Sequence, residues 1–126
     1  MDVDVKFALN RLQRKEAGIT EQQYAECLAE IKSNSLYANI DPVELKKILT
    51  PDLFFGLKVR TLGYSNNNLS EFLDAEPRSI PRYFSNLYEV LNVSDIGICN
   101  IMLMDLKILS PKDWYPYFPF CNIKRK

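Results

Sequence analysis

Two arginines four residues apart, Arg78 and Arg82, are the side chains of this chain best suited to recognition chemistry. Four residues is about one helical turn, so on a helix both guanidinium groups project from the same side. A guanidinium donates two parallel hydrogen bonds in one plane, which matches a guanine edge or a phosphate. Catalysis has thinner support. The chain contains no histidine, which removes the commonest general base and the commonest zinc ligand. It also has no glycine-rich phosphate loop, no paired-histidine metal motif and no nucleophile elbow. The carboxylate pairs Asp2/Asp4 and Glu26/Glu30 fit solvated helix faces. Cys27, Cys99 and Cys121 are odd in number and far apart, a pattern of free thiols rather than of a disulfide or zinc scaffold. The expectation is a non-enzyme without cofactor or metal.

Positioning the arginines requires a helix, and helix signals run the length of the chain. Val5, Leu9 and Leu12 form a first apolar stripe, which Gly18 can end. Thr20 with Gln23 makes a capping-box pair that opens a second helix, with Tyr24, Cys27, Leu28 and Ile31 on its buried face. Asp41-Pro42-Val43-Glu44 and Thr50-Pro51 are two further start signals. Gly63 ends the helix that follows Pro51, and Ser65 caps a short one carrying Leu69, Phe72 and Leu73. Pro77 opens the helix of the two arginines, and Ser94-Asp95 caps a last apolar one. The predicted fold is all-α, with six or seven short helices.

Residues 66–85 meet the requirements of a helix-turn-helix. Leu69, Leu73, Ile80 and Tyr83 would face inward, with the small Ser70 and Ala75 beside the crossing. Asp74 stands where the turn often needs glycine, and aspartate tolerates left-handed backbone. Glu76, Pro77, Arg78, Pro81, Arg82 and Ser85 would form the outer face of the second helix, the face that reads base edges in such units.

Composition bounds the rest. Close to half of the 126 residues are apolar, enough for one buried core. Sixteen basic residues balance sixteen acidic ones, so there is no global excess to attract nucleic acid. No apolar run approaches the ~18–20 residues of a membrane span. The acidic Met1–Lys6 stretch lacks the apolar core of a signal peptide, so a cytoplasmic location is expected.

The stretch from about Leu49 to Leu109 resembles the LuxR-type (FixJ or GerE type) DNA-binding domain of bacterial transcription regulators. Leu49-Thr50-Pro51 is similar to the Leu-Thr-Pro that opens that domain. Gly63-Tyr64-Ser65-Asn66 with Leu69-Ser70 resembles its Gly-x-Ser-Asn-x-x-Ile-Ala, and Arg78-Ser79-Ile80 stands where the family has Lys-Thr-Val. Phe84-Ser85-Asn86-Leu87-Tyr88 and Leu91-Asn92-Val93-Ser94-Asp95 are similar to Leu-Ser-Asn-Ile-Tyr and Leu-Gly-Val-Ser-Asp. The resemblance implies four helices, roughly 51–62, 66–73, 77–91 and 95–107, the third being the recognition helix. Arg82 and Ser85 would reach base edges, and Arg78, Asn66 and Lys58 or Arg60 would position the DNA backbone. The fourth helix would pair two protomers, or this chain with another regulator, through Ile96, Cys99, Met102, Leu103 and Leu106.

Pro81 replaces the lysine that the family usually carries there. Residues 49–109 hold five basic against seven acidic side chains, a net charge of −2. Phosphate neutralisation dominates DNA affinity, so these two features motivate a rival expectation. In it the chain is a protein-binding adaptor or inhibitor that keeps the scaffold without binding DNA. Residues 1–48 read as an N-terminal helical extension. Residues 110–126 read as an aromatic, proline-rich strap with extended backbone, whose Trp114, Tyr115, Tyr117 and Phe118 either cover the core or hold a partner.

Overall fold

Helix starts in this chain are set by side chains that accept hydrogen bonds from free backbone N–H groups. In the computed structural model, which describes residues 3–120, Thr20, Asp41, Thr50, Ser65 and Asp95 each cap a helix in this way. The helices are α1 (Val3–Lys15), α2 (Glu21–Ser33), α3 (Pro42–Ile48), α4 (Pro51–Thr61), α5 (Asn66–Phe72), α6 (Ile80–Leu91) and α7 (Ile96–Asp105). Short 3₁₀ segments cover Ser35–Tyr37 and Pro77–Ser79, and a longer one covers Pro111–Phe120. The fold is all-α, with no strand among the described residues. Nor is any single helix among them long and apolar enough to cross a membrane. Cys121 and the basic Lys124-Arg125-Lys126 lie outside the described residues.

The helix α4 is the centre of the molecule. Every residue from Leu53 to Val59 is buried, so the helix is enclosed on all sides. Neighbours on its several sides are α1, α5, α7 and the C-terminal 3₁₀ strap. The Phe55 ring meets Phe72 edge to face at 6.2 Å and Tyr117 at 6.0 Å. Burying one such ring contributes about 2–3 kcal/mol. Gly56 leaves room for Phe84, whose Cζ lies 3.4 Å from where a Cβ would stand.

One hydrophobic core includes Leu9 of α1, the interior of α4–α7, and Trp114 and Tyr117 of the strap. Both extensions therefore contribute to the same core as residues 49–109. The strap departs from the extended backbone expected of it: Pro111–Phe120 winds as a 3₁₀ helix. The φ near −65° that proline imposes suits 3₁₀ turns as well as extended chain. Burial of Trp114 and Tyr117, three residues apart, then selects the helical form, because three residues make one 3₁₀ turn.

The helix expected from Pro77 starts later than that residue. Residues Pro77–Ser79 form a 3₁₀ turn, and α-helix begins at Ile80. Proline is tolerated only where a helix needs no N–H, and starting at Ile80 places Pro81 in that first turn.

Candidate nucleic-acid interface

The turn between α5 and α6 is closed by the backbone. The Leu73 N–H donates to Leu69 O at 2.8 Å, and the Ala75 N–H donates to Ser70 O at 3.0 Å. Between them Asp74 adopts φ 50°, the left-handed residue of a Schellman-type helix end. The next residues turn the chain into α6, which packs on α5. Its sequence presents Ile80, Phe84, Leu87 and Leu91 to the core at spacings of three and four. Asn92 ends the helix at φ 56°, and the Val93 N–H closes back on Tyr88 O at 2.9 Å.

The outer face of this unit follows directly. Glu76, Pro77, Arg78, Pro81, Arg82 and Ser85 are all exposed. The Arg78 side chain is 88% exposed, and its Nε lies 3.0 Å from Glu76 Oε2. Such an exposed pair is weak, about 0–1 kcal/mol, and yields readily to a phosphate. Arg82 has no ion-pair partner among the described residues, and its backbone O accepts from the Ser85 hydroxyl at 3.2 Å. Asn66 is half-buried at the first position of α5. Tyr83, expected inside, is instead 36% exposed. Helix phase explains this, since the buried stripe through Ile80 and Phe84 leaves Tyr83 on the flank.

The flank is the feature that the sequence did not reveal. Helix α3, from the N-terminal extension, packs along α6. Tyr83 and Asn86 share a cleft of about 190 Å³ with Ile48, Thr50 and Leu53. A larger one, about 440 Å³, is lined by Asn39, Asp41, Glu44, Ile48, Asn86, Glu89 and Val90. Its ionisable residues are all acidic. No spacing rule within 66–85 shows which distant helix will lie against this side of α6.

Of the two alternatives expected to contact the DNA backbone, Lys58 is corrected. Lys58 is only 6% exposed, and its Nζ lies 2.7 Å from Glu16 Oε1. Glu16 Oε2 accepts from the Tyr117 hydroxyl at 2.7 Å. Burial and the hydrogen bond to Glu16 both push the Tyr117 phenol well above its ordinary pKa. Lys58 is thus a core residue, placed there because the enclosed α4 has no solvent face at that position. Arg60 is half-buried and donates from Nη1 to Tyr64 O at 2.7 Å, which ties α4 to the following loop.

The expected pairing and partner surfaces divide in a similar way. Cys99, Leu103 and Leu106 are fully buried and face the core, not a second protomer. Ile96 and Met102 are half-buried. The exposed apolar residues of α7 are Ile98 and Ile101, at 47% and 67%. Because α7 is apolar around most of its circumference, its periodicity does not indicate which side is outside. In the strap Trp114 and Tyr117 are buried, which corrects their assignment to a partner surface. Tyr115 and Phe118 are exposed, with ring centroids 5.6 Å apart. No family model, curated protein or solved structure matches this chain.

Proposed function

We propose that this chain is a DNA-binding transcription regulator that inserts α6 into the major groove, in the manner of LuxR-type domains. The observation that carries this reading is the division of α6 into two faces. One is buried through Ile80, Phe84, Leu87 and Leu91, and the other presents Arg82 and Ser85 to solvent, with Arg78 exposed on the 3₁₀ turn that leads into the helix. In this reading Arg82 and Ser85 contact base edges, while Arg78 and Asn66 position the phosphate backbone. Lys58 has no part in it, because its side chain is buried beside Glu16 and the strap, away from the outer face of α6. Pairing of two protomers would use the outside of α7, where Ile98 and Ile101 are exposed.

Fluorescence anisotropy against mixed duplex DNA at low and moderate salt tests the proposal. Binding should weaken steeply with salt. Arg78→Ala should weaken all sequences alike, whereas Arg82→Ala should relax sequence preference. If both variants bind like the parent chain, this docking geometry is wrong.

A second reading is favoured by the flank of α6. A helix packed beside α6 sits about 8–10 Å away, while the major groove is only about 12 Å wide. That helix would meet the groove wall, and its Glu44 with the capping Asp41 lines the cleft shared with α6. In this reading the chain is a protein-binding adaptor that retains the helix-turn-helix scaffold. Flat anisotropy with a copurified regulator would favour it.

A further inference from the structure

The buried Lys58 ammonium is only partly used by its partner. It carries three N–H donors, and its one hydrogen bond among the described residues goes to Glu16 Oε1 at 2.7 Å. Glu16 is by contrast occupied on both oxygens, by Lys58 and by the Tyr117 hydroxyl. Two clefts reach Lys58. The smaller, about 170 Å³, lies towards Thr20 and Gln23. The larger, about 300 Å³, is lined by Leu12, Lys15, Glu16, Lys58, Lys112, Asp113, Pro116 and Tyr117.

Three lysines and two carboxylates therefore face the larger cleft. Both carboxylates are already engaged, Asp113 by accepting from the Ser110 N–H at 2.8 Å. Lys15 and Lys112 are exposed and have no ion-pair partner among the described residues. The cleft thus has a net positive charge and free donors at its floor and rim. Leu12 and Pro116 supply an apolar wall.

We propose that this cleft, between α1, α4 and the C-terminal strap, binds a small organic oxyanion. A carboxylate or phosphate group would sit among Lys58, Lys15 and Lys112, and its small apolar body would rest on Leu12 and Pro116. Charge-assisted hydrogen bonds in a partly enclosed site favour such a group over water. The volume lies at the low end of metabolite pockets, which limits the ligand to a small acid or phosphate monoester. The inference stands apart from the DNA-binding reading, since none of these residues lies on the outer face of α6.

The test is a nuclear magnetic resonance titration of the full chain with inorganic phosphate and, separately, with acetate. Expected are saturable amide shifts confined to Leu12–Glu16, Lys58 and Lys112–Tyr117, with dissociation constants of about 1 mM for these minimal probes. Whichever salt binds tighter identifies the anion as phosphate or carboxylate. The double variant Lys15→Ala/Lys112→Ala removes only exposed charges, so the fold is retained, and binding should weaken about fivefold. The proposal is overturned if shifts do not saturate, if they spread equally to Lys46 and Lys47 on α3, or if the double variant binds as tightly as the parent.

Discussion

Replacing Lys58 with methionine tests whether this lysine belongs to the core or to a surface. The Lys58 and Glu16 side chains are 8% and 12% exposed, and their charged atoms are 2.7 Å apart. Removing one member of so buried a pair strands the other charge, which costs about 3–5 kcal/mol. For a chain of this size that corresponds to a fall in Tm of roughly 10–20 °C. Lys58→Met should cost this much in urea unfolding followed by circular dichroism, with an unchanged m-value. The double variant Glu16→Gln/Lys58→Met leaves no stranded charge, and the amide oxygen it introduces can still accept from the Tyr117 hydroxyl. It should recover about 2–3 kcal/mol of the loss, and with the Glu16→Gln single variant measured as well a double-mutant cycle gives the coupling energy. A single-variant cost below about 1 kcal/mol with no coupling would mean that water screens the pair, and the assignment of Lys58 to the interior would fail.

Backbone strain, the two sides of the strap and the buried thiols each give a further expected outcome. Asp74→Gly should stabilise the chain by about 0.5–1 kcal/mol and Asp74→Val should destabilise it by at least ~1 kcal/mol, measured by denaturant unfolding, because φ is 50° there. Trp114→Ala should cost about 3–5 kcal/mol, whereas Tyr115→Ala should stay within ~0.5 kcal/mol; equal effects in a thermal melt would contradict the two-sided strap. Burial pushes the Cys27 thiol from 9.0 up to about 11 and the Cys99 thiol up to about 12. Both should resist iodoacetamide in the native protein at pH 8, as peptide mass spectrometry would show. Since folding raises both values, the stability they contribute is complete below about pH 9 and is lost as the pH rises towards 12.

The features legible in the chain alone are local ones. Capping residues and prolines place the helix starts at Thr20, Asp41, Thr50, Ser65 and Asp95 to within a residue or two, because a cap is a contact between near neighbours in the chain. The buried stripe of α6 and the exposure of Arg82 and Ser85 are legible for the same reason, as one period of 3.6 residues decides both faces. The left-handed backbone at Asp74 is also readable from residue type and position. Whatever depends on which elements meet is settled only in the packed molecule. A lysine in α4 reads as surface until α1 and the strap close over it with Glu16 and Tyr117. The outer side of α7 cannot be told from its inner side by pattern, since apolar residues lie on both, Cys99 and Leu103 within and Ile98 and Ile101 outside. That α3 lies along α6 and places Asp41 and Glu44 in one cleft with Asn86 and Glu89 is a contact between residues some forty positions apart. Caps and periodicity act over one or two turns, whereas burial and charge pairing depend on the whole packed core, and at those points the chain's neighbours in space outweigh its neighbours in sequence.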